Sequence, residues 1–130
     1  MTEEQLAPVF RVANTDASID WYRRLGFVVD YEYSSGPAFG RTLVVLRRGE
    51  IGLILSTRDE DARPDGLVYM RVSDVAAIAG EFDIEVKRLG LGSFIELCDL
   101  DGNRLRIGTL WINPADLKGP RWRMTEPRSG

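Results

Sequence analysis

The chain has 130 residues, of which 44% are hydrophobic and 28% are charged, and its formal net charge is -3 at pH 7. This length allows one domain with a buried core, which we expect residues 1–130 to form. An acidic balance argues against a nucleic-acid partner, which needs a clustered basic face. No apolar run approaches the ~18 residues of a membrane span, so we expect no membrane partner.

Cysteine and histidine usage narrows the chemistry further. The chain has a single cysteine, Cys98, and no histidine. One cysteine excludes an internal disulfide and a zinc site built from several cysteines, and residues 1–5 lack the basic start of a secretory signal, so we expect a cytoplasmic protein. The absence of histidine removes the commonest metal ligand and the commonest general base. Because no histidine is available to activate the thiol, we expect Cys98 to be buried and inert.

The first half of the chain predicts one strand, one helix and three further strands. Asn14 and Thr15 follow the first strand, and either residue can cap a helix. Within that helix Ile19, Tyr22 and Leu25 share one face, which we expect to pack against a sheet. The predicted strands of this unit, which spans residues 7–57, are residues 8–12, 27–33, 41–46 and 51–56.

The second half repeats this order. Residues 10–14, Phe-Arg-Val-Ala-Asn, return as Met-Arg-Val-Ser-Asp at residues 70–74, which indicates one supersecondary unit used twice. A polar linker over residues 57–66 separates the two units, and a short helix is expected over residues 74–81. The predicted strands of the second unit, which spans residues 66–109, are residues 67–72, 85–89, 93–98 and 104–109. Residues 110–130 have no clear periodicity and are interpreted as a C-terminal arm.

Two motifs carry a resemblance to a known superfamily. Residues 10–27, Phe-Arg-Val-Ala-Asn-Thr-Asp-Ala-Ser-Ile-Asp-Trp-Tyr-Arg-Arg-Leu-Gly-Phe, look like the opening signature of the vicinal oxygen chelate superfamily, which contains glyoxalases, bleomycin-resistance proteins and extradiol dioxygenases. Residues 99–105, Asp-Leu-Asp-Gly-Asn-Arg-Leu, resemble the Asp-Pro-Asp-Gly-Asn turn before its last strand. The resemblance covers about residues 7–109. It implies the α+β glyoxalase/bleomycin-resistance fold, in which two βαβββ units form cupped mixed sheets.

The resemblance also implies where a metal ion would bind. Metalloenzymes of this superfamily hold a divalent ion with four side chains, and those positions fall on Ala7, Ile54, Leu67 and Arg106. Apolar side chains offer no lone pair, and a guanidinium repels a cation. We therefore expect no metal, no other cofactor and no catalytic residue, as in the metal-free, bleomycin-resistance-like branch.

The same four residues are our first candidates for ligand binding. Because strand residues alternate, Ala7, Ile54, Leu67 and Arg106 are expected to share one cavity wall that is apolar with a single cation. Such a wall suits a flat organic ligand, with Arg106 binding an oxygen or stacking on an aromatic plane. The alternative for Arg106 is a salt bridge to Glu96 on the neighbouring strand.

Four aromatic residues are further candidates. Tyr31, Tyr33 and Phe39 lie where related drug-binding members line their grooves, and Trp111 in the arm is expected to cover an apolar surface. The alternative for each ring is packing in the core or at a dimer interface.

The sequence thus favours a metal-independent binding protein, similar to bleomycin-resistance proteins, that sequesters an antibiotic or aromatic natural product. The cleft is expected at the interface of a homodimer. One alternative is a metal-independent enzyme that uses Glu96, Asp30, Glu32 or Tyr69 as acid or base. The other alternative is a scaffold whose cleft is filled by its own side chains.

Overall fold

Each half of the chain folds as a strand, a helix and three further strands. In the computed structural model the described residues are 4–34, 36, 40–89 and 92–110. The elements of the first half are β1 (Val9–Arg11), α1 (Thr15–Arg24), β2 (Val28–Ser34), β3 (Arg41–Arg48) and β4 (Ile51–Ser56). Those of the second half are β5 (Leu67–Arg71), α2 (Val75–Phe82), β6 (Lys87–Leu89), β7 (Gly92–Cys98) and β8 (Arg104–Gly108).

The strands form two four-stranded sheets with the same topology. Their orders are β1-β4-β3-β2 and β5-β8-β7-β6. In each sheet the first strand pairs in parallel with the last, and the other pairs are antiparallel. The predicted α+β class with two mixed βαβββ sheets is therefore confirmed. The exact boundaries of the units and of the C-terminal arm stay predictions, and residues 111–130 lie outside the described residues.

Both helices begin after a short polar residue that caps them, and the sequence predicts the first of these caps. Asn14 Oδ1 accepts a hydrogen bond from the Ala17 amide at 3.0 Å, so Asn14 rather than Thr15 caps α1. Asp74 caps α2 in the same way, because its side chain accepts from Ala77 at 3.0 Å. The repeated strand-to-helix motif is thus a repeated N-cap.

The second helix ends in a left-handed cap, and the strand after it is shorter than predicted. Asp83 adopts a left-handed conformation with φ 54°, and the Ile84 amide donates to the Ala79 carbonyl at 3.0 Å. The next strand, β6, starts at Lys87, where its pairing with β7 begins, rather than at the predicted residue 85.

One face of each sheet packs against its helix, and the other face is open. In β3 the residues Thr42, Val44 and Leu46 are buried, whereas those between them are partly exposed. The buried faces and the helices share one hydrophobic core that includes Tyr22 and Ile107 from the two halves. Among the helices described, none is long and apolar enough to cross a membrane.

The turn between β7 and β8 joins the two halves. Asp99 accepts from the amides of Asp101 and Asn103 at 2.8 and 2.9 Å and from the Tyr22 hydroxyl at 2.7 Å. Asn103 Nδ2 donates to the Arg11 carbonyl at 3.0 Å. The motif at residues 99–103 therefore shapes its own turn and also holds β1 and α1 of the first half.

Candidate functional site

The open face of the second sheet brings together an aromatic, a cationic and an acidic side chain. Register aligns Tyr69 of β5 with Arg106 of β8, and Arg106 with Glu96 of β7. Residues in register on neighbouring strands lie on the same face of a sheet. Tyr69, Arg106 and Glu96 consequently form one row across the open face.

A cavity of about 450 Å³ lies over this row. Small-molecule sites typically measure about 300–1,000 Å³ and combine apolar walls with a few polar groups. The wall of this cavity has two aromatic side chains, one aliphatic side chain, one cation and one carboxylate. Its lining residues are Tyr69, Gly92, Ser93, Phe94, Glu96, Arg106 and Leu110.

Arg106 makes the ion pair that the sequence offered as an alternative. Its Nε donates to Glu96 Oε1 at 3.1 Å, and the side chains of Arg106 and Glu96 are 49% and 38% exposed. Arg104 Nη1 lies 4.0 Å from the other carboxylate oxygen of Glu96. Because the pair is part of the cavity wall, the salt bridge and contact with a ligand are compatible, and the ligand-binding role of Arg106 stays a prediction.

Two glycines make room for the cavity and its wall. A Cβ at position 108 would lie 2.6 Å from the Tyr69 hydroxyl oxygen, and one at position 92 would lie 2.5 Å from Leu110 Cγ. The Tyr69 hydroxyl donates to the Leu110 carbonyl, which closes one end of the wall. Any larger residue at Gly92 or Gly108 would displace this end of the cavity.

Sequence reasoning did not identify Phe94 and Leu110 as wall residues and considered Tyr69 only as a possible acid or base. A signal for Tyr69 was present, because it lies two residues after Leu67 and shares its face of β5. Leu110 had no such signal, because its position depends on the space above Gly92.

The other predicted binding residue of the second unit, Leu67, lies apart from the 450 Å³ cavity. Leu67 is 44% exposed and lies in register with Arg104. Arg106 and Leu67 were expected to share one cavity wall. Arg106 lines the 450 Å³ cavity, whereas Leu67 does not.

The candidates of the first unit belong to the other sheet. Ile54 lies in register with Val45, and Val45 with Tyr31, so these three share the open face of the first sheet. Tyr31 and Tyr33 on β2 are 60% and 52% exposed. Ala7 precedes β1 and lies beside Gly52 of β4, since a Cβ added at Gly52 would be 3.7 Å from the Cβ of Ala7. Phe39 and Trp111 lie outside the described residues.

A second cavity, of about 830 Å³, opens between the two halves. Its wall includes Pro8 and Ile51 from the first half and Val68 and Arg71 from the second half. Tyr69 lines this cavity as well as the smaller one.

The residues at the positions implied for metal ligands do not fit a divalent ion. Ala7, Ile54 and Leu67 have no donor atom, and Arg106 is a cation paired with Glu96. Across the described ranges, no group of three or more His, Cys, Asp or Glu side chains is placed to hold a metal ion.

Cys98 is exposed, so the expectation that it is buried was wrong. In β7 the core-facing residues are Ile95 and Leu97, and alternation turns Cys98 to the open face in register with Arg104. The prediction rested on the lack of a histidine near the thiol, which says nothing about whether the face of Cys98 is covered.

No family model matches the sequence, and no curated protein matches it either. Solved structures do match. A bleomycin-binding protein complexed with bleomycin superposes with a TM-score of 0.65 at 19% sequence identity, over 84% of this chain and 100% of that chain. TnmS3, an antibiotic binding protein from Streptomyces sp. CB03234, superposes with a TM-score of 0.64 at 18% sequence identity, over 82% of this chain and 96% of that chain. A lactoylglutathione lyase from Agrobacterium tumefaciens superposes with a TM-score of 0.62 at 16% sequence identity, over 83% of this chain and 94% of that chain.

At these identities the likeness is one of fold. It extends over more than four fifths of this chain and agrees with the two motifs at residues 10–27 and 99–105. The chain therefore has the glyoxalase/bleomycin-resistance fold, the fold of the vicinal oxygen chelate superfamily.

Proposed function

We propose that this chain binds a small organic molecule, an antibiotic or an aromatic natural product, and sequesters it unchanged and without a metal ion in the cytoplasm. The observation that carries the proposal is the 450 Å³ cavity on the second sheet. Its wall combines the ring surfaces of Tyr69 and Phe94 with the guanidinium of Arg106, which suits a flat ligand with at least one hydrogen-bond acceptor.

The fold alone is compatible with both binding and catalysis. A bleomycin-binding protein and a lactoylglutathione lyase both match this chain. The choice between these functions therefore depends on the chemistry of the side chains in this chain. Sequestration requires only complementarity to the ligand, whereas a reaction requires a group that can transfer a proton, attack the substrate or polarise it.

The carboxylates considered for acid–base chemistry are engaged in ion pairs. Asp30 Oδ2 lies 3.1 Å from Arg47 Nη2, and Glu96 Oε1 lies 3.1 Å from Arg106 Nε. Glu32 Oε1 lies 3.4 Å from Nη1 of Arg41 on β3. In each contact an arginine occupies a carboxylate oxygen that proton transfer to or from a substrate would need. These contacts support binding over a metal-independent reaction.

The proposal includes a homodimer whose ligand cleft lies at the interface. The open face of the first sheet exposes Val28, Tyr31 and Tyr33, which are 60%, 60% and 52% exposed. Clustered exposed apolar side chains are a property of interaction surfaces, and two-fold pairing is the default for identical chains. A second copy that meets this face with its own second sheet would add Tyr31, Tyr33 and Ile54 to the wall of the 450 Å³ cavity, so that the cleft is shared by the two chains.

A thermal-shift screen tests the binding function. The purified chain is heated with bleomycin-type glycopeptides, with polycyclic antibiotics, or with EDTA alone. A ligand at a hundred times its Kd adds about 2.7 kcal/mol of apparent stability, which raises Tm by about 10 °C in a domain of this size.

We expect a rise in Tm with one class of compound and no change with EDTA. A fall in Tm with EDTA would contradict the metal-free proposal. The absence of a shift with every compound would favour the scaffold alternative. Analysis of the recovered compound by mass spectrometry distinguishes sequestration, in which its mass is unchanged, from a reaction.

A further inference from the structure

Basic side chains dominate the open face of the second sheet. The register places Arg104 and Arg106 on β8 and Arg71 on β5 on this face, and Lys87 joins them through its pairing with Phe94. Within the described part of this face, these four cations are accompanied by one carboxylate, that of Glu96. The local charge is therefore opposite in sign to the net charge of -3 on the chain.

The pairing of Arg106 leaves the outer part of its guanidinium available. Its hydrogen bond to Glu96 is made through Nε at 3.1 Å, and among the described residues neither Nη atom has a hydrogen-bond partner. Glu96 also lies 4.0 Å from Arg104, so one negative charge is divided between two guanidiniums. Two parallel N–H donors on an arginine match the two oxygens of a carboxylate or sulfonate.

Aromatic surface lies beside this cationic group. Tyr69 and Phe94 line the same cavity as Arg106. A flat ligand with an acidic substituent can therefore place its rings against these side chains and its negative group on the guanidinium. A cationic ligand would instead meet four like charges.

The first sheet does not have this excess of positive charge. On β3 Arg47 donates to Asp30 through both Nε and Nη2, at 3.2 and 3.1 Å. Arg41 on the same strand is paired with Asp16 and Glu32. The excess of positive charge is thus a property of the sheet that carries the 450 Å³ cavity.

We infer that this cavity selects anionic aromatic ligands, with Arg106 as the residue that recognises the acidic group. The inference rests on the proposed binding function and adds the charge class of the ligand. Arg106 acts by direct contact with the ligand, and Arg104, Arg71 and Lys87 contribute the surrounding positive potential.

A matched pair of fluorescent probes tests the inference. Anilinonaphthalene sulfonate carries one negative charge, and N-phenyl-naphthylamine has the same ring system without the sulfonate. We expect the sulfonate to bind the wild-type chain about tenfold more tightly, because hydrogen bonds to charged groups are stronger than neutral ones. Raising the salt concentration to about 0.5 M is expected to reduce this preference, because the arginines are partly exposed and screened.

Three variants separate recognition by Arg106 from a general effect of charge. Arg106→Gln is expected to abolish the preference for the sulfonate and to leave the affinity for the neutral probe unchanged. Arg106→Lys keeps the charge without the planar fork and is expected to retain part of the preference. Arg23→Gln removes the same charge from the exposed side of α1, and we expect it to change neither affinity.

Equal affinities of the two probes for the wild-type chain would overturn the inference and leave the proposed binding function intact. An unchanged preference in Arg106→Gln would also overturn it. Failure of both probes to bind would overturn the inference and would count against the binding function as well.

Discussion

The hydroxyl of Tyr22 donates a 2.7 Å hydrogen bond to Oδ2 of Asp99, which links α1 of the first unit to the turn before β8 of the second. Tyr22 is 0% exposed and Asp99 is 7% exposed, so the bond lies inside the core. Buried polar groups must find partners, because leaving one unpaired costs more than the bond contributes. This contact therefore couples the stability of the two units.

Removing the Tyr22 hydroxyl is expected to destabilise the fold. In Tyr22→Phe the ring still fills its site, but Asp99 loses one of its donors, and hydrogen bonds to charged groups contribute about 1.5–3 kcal/mol. We expect urea unfolding to give a free energy of unfolding lower by about 2 kcal/mol. Tyr31→Phe is the control, because Tyr31 is 60% exposed in the single chain whereas Tyr22 is buried. Similar losses in both variants would contradict the role of the Tyr22 contact.

The same contact predicts a loss of stability in alkaline solution. Burial, together with the negative charge of Asp99, raises the pKa of Tyr22 above its ordinary value. In the unfolded chain Tyr22 ionises near pH 10, whereas the folded chain keeps the proton, so the folded state binds more protons above that pH. The stabilisation is fully present below about pH 10 and is lost at about 1.4 kcal/mol per pH unit above it.

Urea unfolding between pH 9 and 11 measures this loss. Tyr22→Phe has no group to ionise at this site, so we expect its free energy of unfolding to fall less steeply than that of the wild type. Parallel pH dependences in the two proteins would show that Tyr22 does not titrate differently in the folded and unfolded states.

Two glycines are expected to respond to alanine with opposite signs. A Cβ at Gly66 would lie 2.6 Å from a ring carbon of Phe10, which is 2% exposed. We expect Gly66→Ala to lower the free energy of unfolding by about 1–3 kcal/mol through overpacking. Apart from its own helix backbone and its two chain neighbours, Gly80 in α2 has no atom within 4 Å of such a Cβ. Gly80→Ala is therefore expected to raise the free energy of unfolding by about 0.5 kcal/mol through helix propensity. Destabilisation by both variants would contradict the conclusion that a Cβ fits at Gly80 but not at Gly66.

The exposure of Cys98 is tested with a thiol reagent. It is the only cysteine of the chain and is exposed at the end of β7. We expect Ellman's reagent to titrate one thiol per chain in the native protein, at a rate similar to that in urea. Protection that disappears only on unfolding would instead show that Cys98 is covered in solution.

The proposed dimer is tested on the apolar face of the first sheet. Tyr33→Glu places a charge on an exposed position of that face and is expected to shift the protein towards monomer in sedimentation equilibrium. Leu100→Glu is the matched control, because Leu100 is 59% exposed on the turn after β7. A wild-type monomer, or equal effects of the two variants, would refute this interface.

Local sequence signals account for most of the fold. Asn14 and Asp74 are short polar residues before helices, and their side chains accept hydrogen bonds from amides three residues on. Such contacts lie within one turn, so they depend little on the rest of the molecule. The start of β6 was predicted less well, because it depends on where the pairing with β7 begins, which is at Lys87.

The candidate site was predictable only in part. The short turn at residues 99–103 sets the register of the strands on either side and places Arg106 opposite Glu96, which is why their ion pair could be proposed in advance. Whether the face of Cys98 is covered depends on what packs on it, and alternation says nothing about that.

The sequence by itself determined the order of elements, the helix caps and the absence of metal-binding side chains at the positions implied by the two motifs, because each depends on the chemistry of a few nearby residues. Only the tertiary structure decided that Tyr69, Phe94 and Leu110 join Arg106 around one cavity. These residues come from different strands and from the chain after β8. Their meeting depends on strand register and on the space left by Gly92 and Gly108, which arise only when the sheet has formed.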